Sequence, residues 1–436
     1  MNQWPKPWSR HVGSQTHSAL SLPLHMRSRV LALAFLLAVL IACGDDAPDI
    51  IRPGAPPAGE LFRSYVALGD GWAAGFQSLG INDSTQREAY PQLLARQFGT
   101  RYAFASLALP GCPPPVVNFQ TQARLGGGTA LSCALRSSAS VTERLNNVAV
   151  PGAASVDATS SNSPNSNALT TFILGGKTQL QKAVDARPTF VTLGFVNGDF
   201  AAAAASGILT ATPGVSPGIT PTAAFASNVA AVVDSLRSLR APGLVIVGSV
   251  QGGVLLGAVN VLATPLFFPA AALTNAQFKG GLDAATGKTI AVLPNCSGSA
   301  SLISTLIVPA IRHGTHPAVI ACVSGSVPGT PVGDIFVVDA TEQASISVTV
   351  AVYNSYLSAK ADSTGWVFVD PNPVITQARL SGLITPVINL ASATQPFGAF
   401  FSLDPLHPSG LGQKVIANEI IRRINLRYAT TVAPIP

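Results

Sequence analysis

The chain has 436 residues, 47% of them hydrophobic and only 11% charged, which is enough apolar sequence for a large core and excludes a globally disordered polypeptide. The formal net charge of +6 sits mostly at the front: Lys6, Arg10, Arg27 and Arg29 precede Cys43 with no acid among them, leaving 22 basic against 20 acidic residues. So even a balance offers no electrostatic footprint for a phosphate backbone, and no nucleic acid is expected as a partner.

From Val30 to Ala42 the chain is an unbroken apolar run of 13 residues, opened by Met26 and preceded by Arg27 and Arg29. That is short for a membrane span and has the parts of a secretory signal. Leu40, Ile41, Ala42 and Cys43 resemble the lipobox of bacterial lipoproteins, which implies cleavage before Cys43 and lipidation of its thiol. The expected organisation is a leader over 1–42, with translation starting at Met26 and a signal peptide over 26–42, then a Pro/Gly-rich tether over 43–60. A single domain follows over 61–430, with a tail over 431–436. The protein is expected to be exported and held on a membrane by its lipid. Beyond Cys43 stand Cys112, Cys133, Cys296 and Cys322, an even number for an oxidising compartment. Four cysteines allow three connectivities; proximity in sequence favours Cys112 with Cys133 and Cys296 with Cys322.

Within the domain, apolar runs over Tyr65–Leu68, Asn147–Val150, Phe190–Leu193, Leu244–Val247 and Trp366–Val369 predict buried strands of a parallel sheet. Phe225, Val229, Val232, Val233, Leu236 and Leu239 recur at helical spacing, as do Leu411, Val415, Ile420 and Ile424, predicting amphipathic crossover helices. Residues 159–168 and 210–222 are rich in Ser, Asn, Pro and Gly and predict loops. Residues 251–345 show no clear period and predict a long insertion on the same sheet.

Two turns carry the chemistry. The first predicted strand runs into Gly69, Asp70, Gly71 and Trp72, and the chain closes on Ser402, Leu403, Asp404, Pro405, Leu406 and His407 before its last helix. A carboxylate three residues ahead of an imidazole on a turn can fix the ring tautomer and leave the other nitrogen as a general base. Together with Asn147–Ala153 and Phe190–Asp199, these ends resemble the SGNH or GDSL hydrolases, a family of esterases and lipases. The resemblance implies a flavodoxin-like three-layer α/β/α fold with a central parallel sheet and a Ser-His-Asp triad, and no cofactor. It places the acid and base on Asp404 and His407, and oxyanion donors on Gly71, Gly152 and Asn197 or Gly198. Its nucleophilic Ser position is occupied by Gly71, so no acyl-enzyme can form there. His407 with Asp404 is then expected to polarise water in the vacated space. Asp70 is expected to fix its turn through backbone N–H groups, with Trp72 packing beside it.

The expected function is hydrolysis of carboxylic esters, acyl or acetyl, carried by a small molecule, lipid or glycan; the alternative is a non-catalytic protein holding an acylated or glycan ligand. Other features carry less. Gly214–Gly218 spells a G-x-S-x-G elbow around Ser216, but Pro217 removes the N–H that such an elbow needs, and a solvent-exposed turn is expected. Ser409 suits a helix start. His313 and His316 have no further ligands nearby in sequence, and no metal site is expected.

Overall fold

The computed structural model describes residues 59–136, 144–161, 163, 165–212, 216–238, 250–323 and 335–436. Cys43, the leader and nearly all of the expected tether lie outside these residues, as does the apolar run Leu244–Val247. Four parallel strands form the central sheet, β1 (Tyr65–Gly69), β2 (Phe190–Gly194), β3 (Gly252–Leu256) and β4 (Val367–Val369), side by side in that order. Every residue of β1, β2 and β3 is buried, which is why β1 and β2 read as continuous apolar runs.

Six helices matter for the site: α1 (Gly71–Ala74), α2 (Tyr90–Phe98), α3 (Gln179–Asp185), α4 (Thr222–Arg237), α5 (Ala340–Thr364) and α6 (Gly410–Tyr428). On one side α2 packs on α6, and α6 on β4; on the other, α3 packs against β1 and α4, and α5 against α4, β3 and β4. The fold is therefore α/β, with a central parallel sheet between helical layers. Amphipathic spacing accounts for α4 and α6, whose buried positions include Val229, Val232, Val233 and Leu236 in one and Ile416, Ile420 and Ile424 in the other.

Two expectations change in detail. The strand expected at Asn147–Val150 is reduced to a bridge between Asn147 and Ala67, although Val148 N–H donates to Ala67 O and Val150 N–H to Gly69 O, so the segment still runs along β1. The insertion expected from 251 begins later, because Gly252–Leu256 is a buried strand of the main sheet. Beyond it, Phe267–Pro269, Leu302–Ser304 and Val337–Val338 make a separate antiparallel sheet, and α5 brings the chain back.

With residues 146–150 on one side of β1 and β2 on the other, the chain reverses its direction of travel across the sheet at β1. In open parallel sheets that reversal opens a crevice at the carboxyl ends of the strands. Gly69, Asp70 and Gly71 stand at that end.

Candidate active site

The opening turn is built around one carboxylate. Asp70 caps α1, its Oδ1 accepting from Trp72 N–H at 3.0 Å, while its Oδ2 accepts from Asn197 N–H at 2.8 Å and Gly198 N–H at 3.2 Å. Burial pushes the Asp70 carboxyl above its usual range, with these donors and His407 pulling against the rise. Behind the turn, Gln179 closes both backbone groups of Gly69, its amide accepting from the N–H and donating to the carbonyl. Trp72 is fully buried and its indole N–H donates to Leu406 O at 2.9 Å. That bond joins the first turn to the last across 334 positions of sequence.

The closing turn is organised by Asp404, which is 2% exposed. Its Oδ1 accepts from His407 Nδ1 at 2.7 Å and from His407 N–H at 2.7 Å, and its Oδ2 accepts from Leu79 N–H at 2.9 Å. Burial alone would raise its pKa, but the imidazole and the N–H donors outweigh it and hold the carboxyl below the usual range. His407 shows the mirror image: burial works against charging the ring, but Asp404 at contact and Asp70 beyond it outweigh burial and hold the imidazole above its ordinary value. The ring also meets the Phe76 ring edge-on at 5.0 Å between centroids. In its neutral form it donates from Nδ1 to the carboxylate and presents a lone pair at Nε2.

Nε2 points at Gly71. A Cβ placed on Gly71 would lie 2.5 Å from Nε2, 3.0 Å from Cδ2 of the same ring and 3.2 Å from Phe76 Cβ. A seryl hydroxyl bonded to an imidazole at about 2.8 Å leaves its Cβ roughly 3.5 Å from the nitrogen. The ring therefore sits about 1 Å deeper than beside a serine. This revises the expectation of a vacated space at position 71: the imidazole itself fills the space of the missing side chain.

Gly71, Gly152, Asn197, Gly198 and His407 all line one cavity of about 610 Å³. Its remaining walls are mostly apolar, among them Phe76, Pro113, Leu131, Leu169, Ala202 and Leu406. Among the described residues, neither the Gly71 nor the Gly152 N–H donates to a protein acceptor. The expected donors on Asn197 and Gly198 are otherwise engaged. Both backbone N–H groups serve Asp70, and the Asn197 side-chain amide donates to Leu406 O at 3.2 Å. The reason is that Asp70 reaches further than its own turn and collects the donors of the neighbouring loop. Among the described residues, Asn197 Oδ1 is buried without a hydrogen-bond partner.

A second buried carboxylate ties the loops behind these donors. Asp199 accepts from Ser155 N–H at 2.9 Å and Ser155 Oγ–H at 2.8 Å, and burial pushes its pKa up to about 6. The loops meet so closely that a Cβ on Gly198 would lie 1.8 Å from the Ala153 carbonyl oxygen. Gly198→Ala must force the two loops apart; it is expected to cost about 3 kcal/mol, at the upper end of overpacking effects, read as a lower urea midpoint at unchanged slope.

The remaining expected residues fall elsewhere. Cys112 pairs with Cys133 and Cys296 with Cys322, and the first disulfide lines the cavity. Ser216 is buried rather than solvent-exposed: its hydroxyl donates to Ile208 O and accepts from Gly218 N–H, closing its own turn. Gly214 and Val215 lie outside the described residues. Ser409 caps α6, accepting from Gly412 N–H. His313 is exposed while His316 is buried with Nδ1 against Pro317 O, and among the described residues no group of three or more His, Cys, Asp or Glu is placed to hold a metal.

Sequence reasoning missed Leu79 and Ser78. Both are non-glycine residues at positive φ, 53° and 54°, in a turn that clasps the closing loop through Leu79 N–H to Asp404 and Ser78 N–H to Ser402 Oγ. Leu79 contributes through its backbone alone, so its side chain announces nothing, whereas the Ser78 hydroxyl also accepts from Leu403 N–H at 3.1 Å. It also missed Gln413, wholly buried, whose amide donates to Trp72 O and accepts from Tyr90 N–H and so locks α6 to α1 and α2. A glutamine on the apolar face of α6 was the available signal.

No family model matches the chain, and no curated protein matches it significantly. Solved structures similar to it include an acetylxylan esterase, Axe2, from Geobacillus stearothermophilus, at 10% identity over 85% of this chain and 96% of that one, with a TM-score of 0.35. An extracellular lipase from Streptomyces rimosus aligns at 14% identity over 82% and 98%, with a TM-score of 0.29. A putative acylhydrolase from Bacteroides fragilis aligns at 12% over 88% and 98%, with a TM-score of 0.32. Likenesses this distant do not bear on the chemistry, which rests on the residues themselves.

Proposed function

We propose that the protein is an exported, lipid-anchored ester hydrolase of SGNH or GDSL type in which water replaces the serine as nucleophile. The observation that carries this reading is the His407 ring, bonded through Nδ1 to a buried carboxylate and lining a mostly apolar cavity that Gly71 and Gly152 also line. Nε2 takes a proton from a water molecule as its oxygen attacks the ester carbonyl carbon. The Gly71 and Gly152 N–H groups receive the developing oxyanion, and Asp404 stabilises the imidazolium. As the tetrahedral adduct collapses, Nε2–H returns the proton to the departing alkoxide, giving a carboxylic acid and an alcohol.

Export is supported by the two disulfides and by the apolar run that ends at Cys43. Among the described residues no helix is long and apolar enough to cross a membrane. Lipidation of Cys43 would then supply the membrane attachment.

A general base works only when neutral, and the raised pKa of His407 fixes the sign of the pH dependence. Cleavage of p-nitrophenyl esters, corrected for the buffer blank, is expected to rise with pH and to level off only above the ordinary histidine range. A flat profile would remove His407 from the mechanism. No cleavage at any pH would favour the non-catalytic binding protein on the same scaffold.

A further inference from the structure

The apolar character of the cavity continues past its mouth. Leu131 lines the cavity and is nonetheless 73% exposed, and Leu109, Val117, Leu125 and Leu135 are exposed on the same stretch of chain. That stretch is held together: Cys112 is bonded to Cys133, Ala134 N–H donates to Gly111 O at 2.8 Å and Leu125 N–H to Pro115 O at 2.8 Å. From Tyr102 to Leu135 the sequence has a single charged residue, Arg124, and its guanidinium is turned inward onto Leu79 O and Pro114 O. Every residue from Leu125 to Cys133 is exposed, and none is ionised. Other exposed leucines, such as Leu380 and Leu426, stand apart from the cavity lining. Single exposed apolar residues are ordinary, but a run of them continuous with a cavity marks a contact surface.

We propose that the disulfide-stapled segment Leu109–Leu135 docks the protein on an uncharged lipid–water interface and opens the cavity to that phase. A nucleic acid or acidic polymer would need cationic side chains that the segment lacks. A folded protein partner would be expected to meet a polar rim with paired hydrogen-bonding side chains around the apolar centre. Here the exposed strip runs into the cavity itself through Leu131 and the Cys112–Cys133 disulfide, a route that a lipid chain can follow and a folded surface cannot. The proposed lipid on Cys43 adds a second apolar element, separated from Gly59 by 15 residues that can extend on the order of 50 Å. Both can therefore be engaged by one surface. The inference rests on the proposed ester chemistry only for what is drawn into the cavity; docking needs no turnover.

The test uses the full chain with a reporter at the rim. Leu131→Trp and, as control, Leu426→Trp are each compared with the unsubstituted protein in the presence of phosphatidylcholine vesicles with and without brominated acyl chains. Leu426 lies 16 residues along α6 from its site-facing start, about 24 Å away. The emission added by Leu131→Trp is expected to shift to the blue on vesicles and to be quenched by bromine, with the Leu426→Trp signal unchanged, and Leu125→Asp is expected to weaken the quenching. Equal quenching at both positions, or at neither, overturns the proposal. A blue shift that grows with protein concentration without lipid would assign the face to a second copy of the chain. One present without lipid at every concentration would assign it to another segment of the same chain. Either result also overturns the proposal. The measurement is repeated on the His407→Ala background, so that its outcome is independent of whether ester cleavage is found.

Discussion

Replacing His407 by Ala is expected to lower ester cleavage by about 10³-fold, the scale on which a positioned general base contributes. Asp404→Asn separates the two things that the carboxylate does. On its Oδ1 side it meets the ring Nδ1 and the N–H groups of His407 and Leu406; on its Oδ2 side it meets, among the described residues, only Leu79 N–H. The amide oxygen is therefore expected to stay on the His407 side, which preserves the tautomer, while the amide N–H₂ is turned against the Leu79 donor. What is lost is the charge that holds the imidazole pKa up. The rate should fall by about 10²-fold, less than for His407→Ala, and the ascending pH limb should move to lower pH. Asp404→Ala leaves buried N–H donors unpaired and is expected to cost about 2–3 kcal/mol of stability as well. The pair also fixes how stability depends on pH. The raised imidazole stabilises below the unfolded histidine pKa and loses this as pH rises through its folded value. The lowered carboxyl stabilises above the unfolded aspartate pKa and loses this as pH falls through its own. The stability due to the pair is therefore greatest between the two, and declines on the alkaline side where cleavage is expected to be fastest. Retention of full activity by His407→Ala would exclude the mechanism.

The parts legible in the sequence are those whose signal is carried by side chains. β1 and β2 are buried on both faces and are apolar but for Thr192, whose hydroxyl pairs with that of Tyr65, and α4 and α6 bury one stripe each. Asp404 and His407 lie close enough in sequence for their contact to be inferred from spacing alone. β3 was not legible because it begins with Gly252 and Gly253, where a Cβ would meet the rings of Tyr428 at 2.9 Å and Trp366 at 2.7 Å. The bulk that would normally mark a strand is supplied there by aromatic residues from distant parts of the chain. Leu244–Val247, the more apolar run nearby that carried the expectation of a strand, lies outside the described residues. The engagement of Asn197 and Gly198 with Asp70 was hidden for a related reason. Residue type says that Asn197 and Gly198 can donate, but not that Asp70, 127 positions away, accepts from their backbone.

The same limit applies at Gly71, where the sequence registers a missing hydroxyl and the structure adds a displaced ring. The site thus combines two departures that compensate for each other only in part. Moving inward, the imidazole keeps its bond to Asp404 and its contact with Phe76, and it occupies space that would otherwise be a void against the turn. His407 still lines the cavity that Gly71 and Gly152 also line. A base and two donors in one apolar cavity fit hydrolysis by water better than hydrolysis through a covalent intermediate.

Gly71→Ser and Gly71→Ala together are expected to separate the hydroxyl from the space it requires. Gly71 is not at positive φ, so its backbone accepts an L-residue and the obstacle is the His407 ring. Either side chain must push Nε2 outward by about 1 Å, against the Asp404 bond and the Phe76 contact, at a cost of about 1–3 kcal/mol of stability. Alanine gains nothing for that cost, and ester cleavage should fall below that of the unsubstituted protein as the ring is displaced. Serine meets the displaced ring with a hydroxyl at hydrogen-bonding distance. Loss of a triad member in serine hydrolases leaves about 10³ to 10⁴ over water out of a far larger total, so restoring one is expected to raise turnover by about 10²-fold even with an imperfect ring position. The gain should come with a pre-steady-state burst of p-nitrophenol, because the ester would now pass through an acyl-enzyme. Equal, low activity in Gly71→Ser and Gly71→Ala, with no burst in either, would mean that the ring cannot reach a productive position and that position 71 is not a latent nucleophile site.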